Sequence, residues 1–157
     1  MLEAIGEAKK SRHRPTVGAV VVKDGKIIRR GHRTVLYPAD RSTGKVAIIH
    51  GEQAALAAAG PDVTGADLYV TLQPCYTPFN NNHRLYRGPL QPFPTCSNLV
   101  SRSGIARVII GLVDIKDPGT RDLGIAFFVK SGIRVEAAYL GMEEELHALV
   151  GEGNFNW

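Results

Sequence analysis

Four residues of types that bind metals or move protons follow one another in a suggestive order. His50 and Glu52 stand near the predicted start of one helix. Cys75 follows a predicted strand, and Cys96 opens another predicted helix. Zinc binds imidazole and thiolate ligands tetrahedrally, and catalytic zinc sites keep the fourth position for water. The sequence therefore predicts a catalytic zinc site (Zn²⁺) with His50, Cys75 and Cys96 as ligands.

Glu52 is the candidate for proton transfer. A metal ion in such a site acidifies the water that attacks the substrate. Residues two apart do not share a helix face, but in a first turn Glu52 can lean over the open coordination position. It would take a proton from that water and return protons to the ring nitrogen and the leaving ammonia of an aromatic amidine. The predicted reaction is a hydrolytic deamination.

The two cysteines and the histidine also allow a plain structural interpretation. His50 could cap a helix, Glu52 could be a solvated helix residue, and Cys75 and Cys96 could be ordinary core residues. The N-terminal residues are amphipathic and give no export signal, so we expect a cytoplasmic protein whose thiols form no disulfide. Helix N-termini favour the thiolate form that binds metal. The joint occurrence of all four residues in this order favours the metal site.

Length, composition and charge limit the function classes. With 157 residues, of which 44% are hydrophobic, the chain is expected to form one domain, residues 1–157. No apolar run reaches the length of about 18 residues that a membrane span needs. The formal charge of +4 is modest and the basic residues are mostly dispersed, so a small-molecule substrate is expected and nucleic acid is not.

The hydrophobic pattern and turn residues predict an alternation of helices and strands. Asp24-Gly25 is a strong signal for a hairpin turn, and strands joined through helices run parallel. The predicted helices are the first dozen residues, 47–59, 97–103, about 121–130 and 142–150; the predicted strands are 16–23, 26–32, 67–72, 106–112 and 133–137; the predicted loops include 34–46 and 76–95.

The metal-site residues also carry a resemblance to a known family. The zinc-deaminase signature H-x-E…P-C-x-x-C is found as His50-Gly51-Glu52 and Pro74-Cys75, with Cys96 displaced downstream. The sequence resembles the cytidine-deaminase-like superfamily, and within it the deaminase domain of the riboflavin-biosynthesis deaminase/reductase. The stretches that carry this second resemblance are 15–25, 66–75, 103–108, 124–125 and 130–135.

This resemblance implies a fold, a cofactor and an assembly. The implied fold is a three-layer α-β-α sandwich with a five-stranded mixed sheet and an N-terminal hairpin. The implied cofactor is zinc. Deaminases of this fold commonly form dimers or tetramers, so a homo-oligomer is expected by analogy.

The sequence departs from the riboflavin-type pattern where substrate specificity would reside. Arg14 replaces an asparagine, Gly51 an alanine, Gln73 a glutamate and Thr77 a histidine. Twenty residues also separate the two cysteines. The zinc chemistry is expected to carry over, whereas the pyrimidine specificity is not. The candidate substrate-binding residues are Arg14, Asn82, His83, Arg84 and Arg87.

Three functions remain open at this point. The first is deamination of an aminopyrimidine or purine base, nucleoside or nucleotide, with a riboflavin-pathway-like aminopyrimidine as one candidate. The second is editing of a base in RNA or DNA, which the low net charge disfavours. The third is a catalytically silent, zinc-stabilised interaction domain, against which the intact Glu52 argues.

Overall fold

A computed structural model describes residues 1–12, 14–36, 47–57, 62–76, 95–113, 118–138 and 141–151. Within these ranges the chain alternates between helices and strands. The helices are α1 (Leu2–Ala8), α2 (Gly51–Ala57), α3 (Cys96–Arg102), α4 (Pro118–Lys130) and α5 (Glu143–Val150). The strands are β1 (Gly18–Lys23), β2 (Lys26–His32), β3 (Thr34–Leu36), β4 (Ala47–Ile49), β5 (Asp67–Leu72), β6 (Arg107–Leu112) and β7 (Arg134–Ala137).

Five strands form one mixed sheet in the order β2-β1-β5-β6-β7. The hairpin strands pair antiparallel, and β1 also pairs antiparallel with β5. The strands β5, β6 and β7, which are joined through helices, run parallel. The predicted five-stranded mixed sheet with an N-terminal hairpin is confirmed.

The hairpin turn has the backbone that its sequence requires. Asp24 and Gly25 have φ angles of 50° and 72°, so both adopt the left-handed conformation of a type I′ turn. Asparagine, aspartate and glycine tolerate this conformation better than other residues do. The turn pairs Lys23 with Lys26 and so fixes the register of the strands that follow.

Helices cover both faces of the sheet. The helices α2, α3 and α4 pack on one face, where strand residues such as Ala19, Val21, Leu68 and Val70 are buried. The helices α1 and α5 pack on the other face around Leu146. Because successive residues of a strand point to opposite faces, each strand contributes to both layers of core. The arrangement is the predicted three-layer sandwich.

Two expectations from the sequence were wrong between residues 34 and 51. The predicted helix 47–59 begins only at Gly51, because Ala47–Ile49 forms the strand β4. The predicted loop 34–46 begins with the strand β3, which pairs antiparallel with β4. The β-branched residues Ile48 and Ile49 suit such a strand, and their partner lies more than ten residues away. Residues 37–46 lie outside the described residues.

No helix in the described part of the chain is both long enough and apolar enough to cross a membrane.

Candidate active site

The three predicted zinc ligands converge at one point. Nδ1 of His50 lies 3.7 Å from Sγ of Cys75 and 3.3 Å from Sγ of Cys96. All three ligand atoms lie within 4.8 Å of one another. Tetrahedral zinc with bonds of about 2.0 Å to nitrogen and 2.3 Å to sulfur would hold such ligand atoms about 3.5–3.8 Å apart. The cluster therefore has close to the dimensions of a zinc site.

The start of α2 orients His50. The backbone N–H of His50 donates to Oε1 of Gln53 at 2.9 Å, which is half of a capping box. The carbonyl of His50 accepts the N–H of Ala54 at 2.9 Å, the first hydrogen bond of the helix. Both backbone groups of His50 are thus hydrogen-bonded at the start of α2, and this fixes the position of the residue. Its imidazole faces the two thiols.

The first two residues of α3 hold Cys75 through their backbone N–H groups. The N–H of Cys96 donates to Sγ of Cys75 at 3.3 Å, and the N–H of Ser97 donates to the carbonyl of Cys75 at 3.2 Å. Thr95 caps α3 because its hydroxyl accepts the N–H of Asn98 at 3.3 Å. The first turn of α3 therefore carries Cys96 and stabilises a thiolate on Cys75.

The ionisable groups of the cluster influence one another strongly. Hydrogen bonding by Cys96, although opposed by burial, holds the pKa of Cys75 well below its usual value. The neighbouring Cys75 and complete burial raise the pKa of Cys96 well above its usual value. Burial lowers the pKa of His50, but the hydrogen bond and charge of Cys75 outweigh burial and raise it. A negative charge shared in a buried pocket is suited to binding a cation.

Glu52 lies beside the ligand cluster and is 2% exposed. Burial raises the pKa of Glu52 to about 7, against the lowering effect of the charge on His50. Among the described residues nothing hydrogen-bonds its Oε2 atom. A buried carboxylate oxygen without a partner is costly unless water or a ligand satisfies it. This atom is therefore available to accept a hydrogen bond from a water or a ligand.

Arg33 is a residue near the site that the sequence analysis did not single out. It is 9% exposed, and its charge lowers the pKa of His50. Its Nη1 donates to the carbonyl of Pro15 at 3.1 Å, and its backbone N–H donates to the carbonyl of Val17 at 2.8 Å. Arg33 thus fastens the end of β2 to the segment before β1. No spacing in the sequence signals this, because the contacts join separate segments.

Gln73 and Tyr76 form a wall next to Cys75. Gln73 is 8% exposed, and its N–H donates to the carbonyl of Leu112 at 2.8 Å. The Tyr76 ring packs against Phe127 of α4 with ring centroids 5.2 Å apart. A Cβ on Gly124 would lie 2.9 Å from Nε2 of Gln73, so α4 approaches this wall closely. The glutamine that departs from the riboflavin-type pattern is therefore buried beside the site.

Of the five predicted substrate-binding residues, the structure describes only Arg14. Nη1 of Arg14 donates to the carbonyl of Ala148 at 3.0 Å, near the C-terminal end of α5. This contact gives Arg14 a structural partner, and its role in substrate binding stays a prediction. The other four candidates, Asn82, His83, Arg84 and Arg87, fall in 77–94, outside the described residues.

Comparison with known proteins agrees with this geometry. The family described as the cytidine and deoxycytidylate deaminase zinc-binding region matches residues 1–112. The matched part holds the three residues of the cluster and Glu52. The chain belongs to this family. The family resemblance inferred from the sequence is therefore confirmed.

Relatives of this deaminase family member extend the match beyond the metal cluster. The riboflavin biosynthesis protein RibD of Aquifex aeolicus is 37% identical over 135 residues, which are 86% of this chain and 31% of that protein. The diaminohydroxyphosphoribosylamino-pyrimidine deaminase of Buchnera aphidicola subsp. Acyrthosiphon pisum is 34% identical over 131 residues, which are 83% of this chain and 74% of that protein.

A solved structure supports the same placement. The diaminohydroxyphosphoribosylaminopyrimidine deaminase/5-amino-6-(5-phosphoribosylamino)uracil reductase of Thermotoga maritima is 34% identical and aligns with a TM-score of 0.66. The alignment covers 95% of this chain and 37% of that one. The chain thus spans about a third of the length of the Aquifex and Thermotoga proteins.

Proposed function

We propose that this chain is a zinc-dependent hydrolytic deaminase, with His50, Cys75 and Cys96 as the zinc ligands and Glu52 as the proton carrier. The observation that supports it best is the convergence of the three ligand atoms beside a buried carboxylate oxygen without a partner among the described residues. The donor set suits zinc, because two thiolates and one imidazole are soft and borderline ligands. Family membership is consistent with the same metal.

Glu52 has the chemical properties that the proposed reaction needs. Zinc, when bound, would supply a Lewis acid that makes water acidic near neutral pH. Oε2 of Glu52 takes a proton from the attacking water and delivers it to the ring nitrogen; it then takes the proton of the added hydroxyl and delivers it to the leaving amino group. Water adds to the amino-bearing carbon, the C–N bond breaks, and ammonia leaves as a carbonyl forms. A carboxyl group whose pKa is about 7 can both accept and return a proton at neutral pH.

Arg33 fits the charge requirements of such a site. Two thiolates balance a divalent ion, and an ionised Glu52 adds one negative charge in a buried pocket. A guanidinium stays charged even when it is buried. Arg33 would therefore offset the charge of Glu52 while it holds the segment 15–17 against β2.

We propose an aminopyrimidine, in base, nucleoside or nucleotide form, as the substrate class. The relatives named as RibD and as pyrimidine deaminase support this class. Gln73 beside Cys75 and the long segment between the cysteines set this chain apart from the riboflavin-type pattern. We therefore expect poor activity on the phosphoribosylated diaminopyrimidine named for the Buchnera enzyme. We propose that Arg14 and the segment 76–95 set the preference.

Ammonia release from a panel of amino-substituted substrates tests the proposal. The panel contains cytosine, cytidine, dCMP, adenosine, guanine and the phosphoribosylated diaminopyrimidine, and the enzyme is purified with zinc. The matched control is Glu52→Gln prepared in the same way. We expect wild-type turnover of at least one pyrimidine. If fully zinc-loaded protein releases ammonia from no member, or at the rate of the control, the proposed activity is wrong.

A cytoplasmic location and a homo-oligomeric state are expected for a small-molecule deaminase of this fold.

A further inference from the structure

The two cysteines stand further apart along this chain than the deaminase signature has them. Twenty residues separate Cys75 from Cys96, whereas the signature P-C-x-x-C has two. A connection of two residues keeps its ends close together by its length alone. The entropy cost of closing a loop grows with the number of residues in it, so a connection of twenty residues restrains its ends much less. Other contacts are therefore needed to hold the two thiols side by side.

Three hydrogen bonds join the residues on the two sides of this connection. The N–H groups of Cys96 and Ser97 lie in the first turn of α3, where they have no acceptor within the helix. Both donate to Cys75 instead, the first to its Sγ at 3.3 Å and the second to its carbonyl at 3.2 Å. The hydroxyl of Ser97 donates to the carbonyl of Pro74 at 3.2 Å. Ser97 thus holds both residues of the segment 74–75.

The bond between Ser97 and Pro74 lies where the hydrogen bonds between β5 and β6 end. The N–H of Gln73 still donates to the carbonyl of Leu112 at 2.8 Å. Pro74 has no N–H with which to continue that ladder. Pro74 and Ser97 are both fully buried, so bulk water does not reach this carbonyl. The Ser97 hydroxyl therefore fixes the chain at the residue that precedes Cys75.

We propose that Ser97 is a positioning residue for the zinc site, which holds the segment 74–75 against α3 so that the thiols of Cys75 and Cys96 lie close together before the metal binds. This inference rests on the proposed function, since it takes both thiols as zinc ligands. Removal of the hydroxyl leaves the buried carbonyl of Pro74 without this partner, and the segment shifts. The two thiols then have to be brought together when zinc binds, and the free energy of ordering them lowers the affinity.

The zinc affinity of two serine variants of α3 tests the proposal. Ser97→Ala removes the bond to Pro74. Ser101→Ala is the matched control, because the hydroxyl of Ser101 donates to the carbonyl of Asn98, at 2.9 Å, within the same helix. Each full chain is freed of metal by chelation and then titrated with zinc in competition with a chromophoric chelator. We expect Ser97→Ala to raise the dissociation constant for zinc about 10–100-fold, the usual effect of removing a group that supports a metal ligand. The control should change it by less than about twofold.

Titration with Co²⁺ separates positioning from a general loss of structure. Thiolate-bound Co²⁺ has a charge-transfer absorption band, which reports the two cysteines directly. Ser97→Ala should reach the wild-type band intensity at saturation, with the midpoint raised at least about tenfold. Ser97→Thr keeps the hydroxyl and should bind both metals more tightly than Ser97→Ala.

A Ser97→Ala protein with the wild-type affinity for zinc would overturn the positioning role. An equal loss of affinity in Ser101→Ala, or a threonine variant that binds no better than the alanine variant, would overturn it as well. If wild type itself binds no zinc, the proposed function is wrong, and the positioning role fails with it. Wild-type zinc binding that Ser97→Ala leaves unchanged would instead remove the positioning role alone.

Discussion

Gly51 is a position where the residue usual in the resembled family should harm this chain. The riboflavin-type pattern has alanine between the metal-binding histidine and the glutamate. A Cβ on Gly51 would lie 2.9 Å from the carbonyl oxygen of Val17 and 3.4 Å from the Cα of Gly18. Real Cβ atoms are essentially never that close to a backbone oxygen, so Gly51→Ala requires the backbone to move.

The neighbouring backbone has little freedom to move. The Val17 carbonyl accepts the N–H of Arg33 at 2.8 Å, and the N–H of Gly18 donates to the buried hydroxyl of Thr71 at 3.1 Å. Overpacking in such a place costs about 1–3 kcal/mol. Alanine recovers less than about 1 kcal/mol of helix propensity at the first position of a helix. We expect Gly51→Ala to lower the free energy of unfolding by about 1–2 kcal/mol, or Tm by about 3–7 °C.

Thermal and urea unfolding with a matched glycine substitution measure this effect. Gly6 lies exposed within α1, and a Cβ there would meet nothing within 4 Å. Gly6→Ala should therefore stabilise the protein by about 0.5–1 kcal/mol. Chelator competition should also show weaker zinc binding by the Gly51 variant, because the strain falls between His50 and Glu52. A Gly51→Ala protein that is as stable as wild type, with unchanged zinc affinity, would refute this reasoning.

Substitutions at three further positions test the roles of the metal site, of Arg33 and of Glu7. Cys75→Ala should bind less than about 0.1 zinc per chain by elemental analysis and unfold more readily, since metal binding and folding are coupled; full zinc occupancy would remove Cys75 from the ligand set. Arg33→Met should lower the free energy of unfolding in urea by about 1–3 kcal/mol, and Arg33→Lys should lower it by less. A methionine variant as stable as wild type would show that the hydrogen bonds of Arg33 do not stabilise the fold. Burial raises the pKa of Glu7, but hydrogen bonds to Lys10 and His32 outweigh it and lower the pKa below 4.5. The ionised Glu7 therefore stabilises the fold above about pH 4.5, and this stabilisation is lost as the pH falls through the lower pKa that Glu7 has in the folded protein. Glu7→Gln should be less stable than wild type at pH 7 and equal to it in acid. A difference in stability that is constant across pH 3–7 would contradict this.

Most of the site could be predicted because its signal is local in the sequence. His50 and Glu52 lie next to a helix start, and Cys96 is the first residue of α3. The strand 67–72 was predicted with its observed bounds because a β-rich run ends there before Pro74. The hairpin was predictable from Asp24-Gly25, whose left-handed backbone few other residues adopt.

The rest depended on contacts between distant segments. The strand β4 looked helical because Ala47 precedes an alanine-rich run, and only its pairing with β3 makes it a strand. The role of Arg33 depends on the carbonyls of Pro15 and Val17, and no periodicity encodes such a contact. The start of α4 at Pro118 was placed three residues late, although proline is common in the first turn of a helix.

Turnover and zinc content of Glu52→Gln, measured on the same preparation, test the central claim most directly. Burial raises the pKa of Glu52 to about 7, so a neutral amide of the same size should fit without loss of fold or metal. An amide cannot carry the proton, and loss of general acid–base catalysis lowers rates by about 10²–10⁴. We therefore predict wild-type zinc content with kcat reduced at least about 100-fold. A fully zinc-loaded Glu52→Gln protein that keeps most of the wild-type rate of ammonia release would contradict the account.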